Sequence, residues 1–153
     1  MKANEIAQHG IDYARYLNTV TDRQRVGCTH KDASKVFIEI YRERTPGGSG
    51  VYSFYLPGDD VFYIGRAVEF SRIWDHSYAA AHLEDRTLGF PKCRFCEDKR
   101  LPESAREKIR RGQFCIDYLV VDPSELAPVF EVHLQAACFL RDGRLPICNA
   151  VFG

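Results

Sequence analysis

Nowhere in the 153 residues does an apolar run approach the length of a membrane-spanning helix, and the polar amino terminus lacks the apolar stretch of a signal peptide. Both absences lead us to expect a cytoplasmic protein with no membrane partner. Net charge is missing too, because 21 basic side chains balance 21 acidic ones; the overall charge therefore carries no signal for a polyanionic partner. Internal repeats and low-complexity tracts are absent, which excludes a repeat array. What remains is 45% hydrophobic, enough for a single soluble domain over 1–153 with a core of its own.

Charge is uneven locally. Between Arg86 and Arg111 there are nine Lys or Arg against four acids, a stretch that could follow a phosphate backbone or form a solvated helix face at Glu103 to Arg111. The six cysteines, without an export signal, read as thiols or metal ligands before disulfides. Cys93 and Cys96 have the spacing of half a structural zinc site. Cys28 with His30, or His82 with Cys115, could complete it; the plain alternative is a turn carrying two reduced thiols.

The stretch that speaks of chemistry lies in the middle. Val51 to Leu56 and Val61 to Ile64 are rich in Val, Tyr, Phe and Ile, the composition of strands. Pro57-Gly58-Asp59-Asp60 between them makes a tight reversal. Such a hairpin brings Tyr52 and Tyr63 to one end or diagonally across one face, depending on register. From Ala67 to His82, Phe70, Ile73, Trp74 and Ala81 fall near a helical period, with Arg72 and His76 four apart on one face. Two phenols, an arginine and a histidine suit phosphodiester chemistry: the guanidinium holds a phosphate oxygen, and a phenol or imidazole moves the proton of an attacking water. Downstream, Glu131 lies in an apolar segment of helical spacing, Val129 to Leu140, stopped by Gly143 and followed by Pro146 to Asn149.

In this order, Gly50-Val51-Tyr52, Tyr63-Ile64-Gly65 with Arg66 after it, Arg72, His76, Glu131 and Asn149 resemble the GIY-YIG nuclease family over residues 48 to 151. The resemblance implies a divalent-metal-dependent DNA endonuclease. Its site would be Tyr52, Tyr63, Arg72, His76, Glu131 and Asn149, with Glu131 as ligand to Mg²⁺ or Mn²⁺. Tyr52 or Tyr63 would activate water, Arg72 clamp the phosphate, His76 relay a proton or donate to phosphate, and Asn149 orient the site. A free phenol ionises near pH ~10, so a tyrosine base needs cations beside it, for which Arg66, Arg72 and the metal are candidates.

Each residue also has a purely structural reading. The tyrosines could be cross-strand aromatics, Arg72 and His76 a solvated helix face, Glu131 a first-turn acid at a helix dipole, and Asn149 a turn residue.

The expected fold is α+β: a small sheet from the hairpin 50–64 and a strand 114–121, flanked by helices 67–82 and 129–140. Residues 1–47 form an amino-terminal extension with a helix over Asn4 to Val20, interrupted at Gly10. Residues 48–153 form the nuclease core with an insertion over 83–112. Thr21 to Lys31 reads as a connection, Val36 to Arg44 as strand or helix, and His133 and Cys138 as packing or surface residues. With no room for a further domain after Asn149, a compact restriction-type enzyme on double-stranded DNA is expected, a homodimer if it cuts both strands of a palindrome. The alternatives are a structure-selective nuclease of branched or damaged DNA and a non-catalytic nucleic-acid-binding module.

Overall fold

Two of the apolar strands, 50–55 and 115–122, find partners on both sides in the middle of one antiparallel sheet, and the third, 61–67, lies at its edge. A computed structural model describes residues 1–20, 27–33, 49–56, 58, 60–68, 95–110 and 114–152, with the backbone alone at 17–20, 27–33 and 115–118. In chain order the elements are α1 (Ala3–Val20), β1 (Gly27–Ala33), β2 (Gly50–Tyr55), β3 (Val61–Ala67), α2 (Glu103–Arg110), β4 (Cys115–Asp122), a 3-10 turn (Ser124–Leu126) and α3 (Ala127–Asp142). The strand order is β1-β4-β2-β3, and every neighbouring pair is antiparallel. The α+β class is as expected. Among the described residues no helix is long and apolar enough to cross a membrane.

The sheet contains one strand that composition does not announce. Gly27–Ala33, read as a connection, is β1, paired along its length with β4 from Gly27 opposite Asp122 to Ala33 opposite Ile116. Its sequence, GCTHKDA, has neither an apolar run nor alternation; the pairing is set by its neighbour. The segment Val36 to Arg44, the expected helix beyond Val68, and 83–94 of the expected insertion lie outside the described residues.

Strand alternation divides the interior into two cores. On one face Val51, Ile64, Leu119 and Val121 pack with Ile6 and Ala14 of α1 and Phe130 and Leu134 of α3. On the other, Tyr52 and Phe54 pack with Phe95, Cys96, Leu101, Ala105, Ile109 and Cys148. The described part of the expected insertion, 95–110, thus supplies Phe95, Cys96, Leu101, Ala105 and Ile109 to the second of these cores. At ~1.5–3 kcal/mol for each large side chain fully removed from water, Phe54, Phe130 and Ile64 alone make both layers necessary.

Local chemistry explains the ends and the close approaches. α1 runs through Gly10 without the expected break; a Cβ there would lie 2.4 Å from Leu119 Cδ1, so glycine lets the helix sit directly on β4. Gly58 turns the hairpin at φ 79°. Gly143 ends α3 at φ 70°, its N–H donating to the Phe139 carbonyl at 2.9 Å, the left-handed stop expected of this residue.

Candidate active site

The hairpin register decides how the two tyrosines meet. Tyr52 lies opposite Gly65 and Phe54 opposite Tyr63, so Tyr52 and Tyr63 are diagonal neighbours on one face. Their ring centroids are 6.0 Å apart with planes at 48°. A Cβ on Gly65 would come within 2.7 Å of a Tyr63 ring carbon and 2.8 Å of the Tyr52 hydroxyl oxygen. The glycine of the Tyr63-Ile64-Gly65 triplet is thus required by space: both phenols close over its Cα. Tyr52 is almost wholly buried, and Tyr63 is partly exposed while packing on Phe54 and Phe95 at 6.1 and 5.1 Å.

Glu131 comes from α3. It is the fifth residue of that helix and only 5% exposed, so the reading of a first-turn acid facing the helix dipole does not apply. Arg66 Nε lies 3.3 Å from its Oε2. Gln135, one turn further on and fully buried, donates from Nε2 to Glu131 Oε1 at 3.3 Å and to the Ile64 carbonyl at 3.4 Å. Sequence reasoning overlooked Gln135. Its signal was there: a polar residue on the stripe of Phe130, Leu134 and Cys138, four after Glu131.

Asn149 holds the same strand from its open side. The Ile64 N–H donates to Asn149 Oδ1 at 2.9 Å, and Asn149 Nδ2 donates to the Ile64 carbonyl at 2.8 Å. The Cys148 N–H adds a bond to the Phe62 carbonyl at 2.8 Å. One carboxamide thus imitates a strand partner along the edge of β3, satisfying groups that an edge strand otherwise presents to any passing chain.

Two subsets of the expected residues are therefore assembled. Tyr52 and Tyr63 lie over Gly65; Glu131 and Asn149 converge on Ile64, the first through Gln135. Because Tyr63 and Gly65 alternate with Ile64 and Arg66 along β3, the phenols and the Arg66–Glu131 pair approach the strand from opposite faces. Arg66 was expected beside the tyrosines and instead faces Glu131. The nearest link between the subsets is the backbone from Gly65, under the Tyr52 hydroxyl, to Arg66. Arg72 and His76 lie outside the described residues.

The charged segment and the thiols are less exposed as reagents than composition suggests. Arg110 bonds Glu103 at 2.8 Å, Glu107 at 3.2 Å and the Cys96 carbonyl at 3.1 Å, Arg106 pairs with Glu103, and Arg100 pairs with Asp98. Cys96 is buried in the aromatic core, Cys93 is outside the described residues, and among the described residues no three metal-ligating side chains come together. Backbone register sets Cys28 opposite Val121 and His30 opposite Leu119. His133 stacks on Tyr13 at 3.9 Å, and Cys138 is buried. Burial lowers the His133 pKa and raises that of the Cys138 thiol to about 11, as befits packing residues.

Comparison with family models, with curated proteins and with solved structures finds no match to this chain.

Proposed function

We propose that the chain is a divalent-metal-dependent DNA endonuclease of the GIY-YIG kind, a compact restriction-type enzyme acting on double-stranded DNA. The observation that carries this reading is the packing of Tyr52 and Tyr63 over Gly65, one residue from the Arg66 that pairs with buried Glu131. Tyr52, Tyr63, Gly65, Arg66 and Asn149 of that sequence pattern then each have a spatial task, and Glu131, the carboxylate the resemblance selects, pairs with Arg66 of the same strand.

A single carboxylate fits Mg²⁺, which dehydrates reluctantly and is commonly held by one or two carboxylates together with substrate phosphate oxygens and water. Glu131 would hold it, with Arg66 turning from carboxylate to phosphate as DNA enters; Arg66 is 46% exposed and has room to do so. When bound, the ion would supply Lewis-acid stabilisation of charge on the scissile phosphate and leaving oxygen. The chain's own residues supply the rest. The hydroxyl of Tyr63, the partly exposed phenol, accepts a hydrogen bond from the attacking water and orients it, with buried Tyr52 packed beside it. Arg72 clamps a non-bridging oxygen, His76 relays a proton or donates to phosphate, and Asn149 fixes the strand that carries Tyr63.

One observation favours a second reading. Glu131 is engaged by Arg66 and Gln135, and Tyr63 by the aromatic core, so the same groups could simply hold a non-catalytic nucleic-acid-binding domain together. Incubating supercoiled plasmid and branched DNA with the protein and Mg²⁺ separates the possibilities. Discrete plasmid fragments support the restriction-type enzyme, cutting confined to the branched substrate supports a structure-selective nuclease, and binding without cutting returns the site to a structural role.

A further inference from the structure

The geometry points to Asp98 and Arg100 as a clamp that positions Asn149 against β3. Its catalytic consequence rests on the nuclease reading above, whereas the clamp itself does not. Asp98 takes three bonds from Arg100: from the backbone N–H at 3.0 Å and Nε at 2.9 Å to Oδ1, and from Nη2 at 2.6 Å to Oδ2. The guanidinium then reaches across to the last loop, with Nη2 3.2 Å from the Cys148 carbonyl and Nη1 3.5 Å from that of Asn149.

That loop presents the Asn149 carboxamide to Ile64. A planar fork of five donors can hold a carboxylate and two successive carbonyls at once, which the single ammonium of lysine cannot. Consistent with this arrangement, Arg100 holds the Asp98 carboxyl down to about 2, helped by its backbone N–H and the Cys148 thiol.

The chain of contacts therefore runs from Asp98 to Arg100, to the Cys148 and Asn149 carbonyls, to the Asn149 side chain, and to the strand whose next residue, Gly65, lies under both phenols. An exposed ion pair contributes little stability by itself. Here its effect is geometric: it keeps the loop from drifting off a strand that, among the described residues, has no further strand beyond it. Arg100 and Asp98 act through Asn149 and are positioning residues.

The Ile64 amide reports the clamp directly, since its N–H points away from β2 and its partner is Asn149 Oδ1. Amide exchange of the full chain, read residue by residue for wild type, Arg100→Ala, Arg100→Lys, Asp98→Asn and Asn149→Ala, should show Ile64 protected in wild type. Exchange should be about tenfold faster in Arg100→Ala, approaching Asn149→Ala, with Arg100→Lys between them. Single-turnover cleavage by Arg100→Ala should slow about tenfold with the Kd for DNA within about twofold, and Arg100→Ala/Asn149→Ala should cut no more slowly than Asn149→Ala alone.

Unchanged Ile64 protection in Arg100→Ala, or no protection in wild type, overturns the clamp; so does a double variant that loses the product of the two single effects. If Arg100→Ala does not fold, Arg100→Lys and Asp98→Asn carry the same exchange readout. Wild type that cuts neither plasmid nor branched DNA overturns the nuclease reading instead, and the Ile64 exchange then decides the clamp on its own.

Discussion

The two faces of the sheet are covered in different ways. On one, two helices of 18 and 16 residues lay aliphatic and aromatic side chains on Val51, Ile64 and Leu119; most of that fit is apolar packing, to which the buried Glu131–Gln135 pair and the Glu5–Arg141 tie between the helices are added. On the other, the eight-residue α2 and the irregular stretches before it and after α3 cover Tyr52 and Phe54. Those stretches are held by polar ties: Asp98 to Arg100, Arg100 to the Cys148 carbonyl, and Arg110 to the Cys96 carbonyl. Long helices can dock by burying a stripe, because their backbone bonds are internal. Short and irregular segments leave more backbone groups to satisfy, so their position depends on side-chain bonds. The proposed site straddles this difference, with its carboxylate on the helical face and its phenols on the tied one.

The largest effect should come from the helical side. Glu131→Gln keeps the shape and one acceptor oxygen for Gln135 but removes the charge and the acceptor facing Arg66, so it should fold and bind DNA while losing about 10²–10³-fold or more of its Mg²⁺-dependent cleavage. Full cleavage by this variant would remove Glu131 from the site and leave the tied face to account for any activity.

Truncation of one phenylalanine on each face tests whether the two kinds of cover differ in cooperativity. Phe130→Ala and Phe95→Ala both empty fully packed positions, and each should cost about 3–5 kcal/mol. The distribution should differ. Phe130→Ala is expected to lower the global unfolding free energy seen by all β-strand amides. Phe95→Ala should in addition speed exchange selectively in 95–110, where fewer internal backbone bonds resist local opening. Equal exchange profiles would mean that the faces behave as one unit.

Gly65→Ala sharpens the comparison at the strand they share. The new methyl would lie under 3.0 Å from ring atoms of both Tyr52 and Tyr63, and Tyr52 is too buried to move aside freely. Overpacking of this kind costs about 1–3 kcal/mol. The tyrosine ring resonances should shift, while the Ile64–Asn149 bonds on the open edge persist. Unshifted rings would show that the phenols do not close over Gly65.

These contrasts also explain how far the sequence could be read. Hairpin, β4 and α3 were legible because Val, Ile, Tyr and Phe at strand spacing, Gly58 at the turn and Gly143 after the helix each have a local cause that tertiary context did not override. The motif residues drew attention to β3 and α3, which the structure brings together through the Arg66–Glu131 pair. β1 was not legible, since Gly27–Ala33 has little apolar content of its own and is a strand because β4 offers it an edge. Nor was the role of 95–110, where a charged surface composition conceals Phe95, Leu101 and Ile109 turned inward. The site's division between two faces depends on register, and a one-residue shift in pairing would have reversed it. Asn149 was singled out by motif, but its grip on both Ile64 backbone groups is a tertiary fact that spacing does not encode.

The smallest expected effect concerns the tie that holds the second face, and acid should reveal it. The Asp98 carboxyl titrates at about 2 in the folded chain against an ordinary value of 3.8, chiefly because Arg100 hydrogen-bonds its charged form. A carboxyl lowered by folding stabilises the fold fully above its unfolded pKa, and that contribution falls away as pH drops through the folded one. The window is therefore about pH 4 to 2. Because Arg100 is 45% exposed, solvent screening reduces the contribution to about 1 kcal/mol. Asp98→Asn should be less stable than wild type by that amount at pH 5, and the two curves should converge towards pH 2. The Ile64 amide is the local witness: its exchange, corrected for the intrinsic pH dependence, should quicken in wild type over the same window and stay level in Asp98→Asn. Parallel stability curves down to pH 2 would show that the ion pair does not tie the irregular face, and that apolar packing holds it as it holds the helical one.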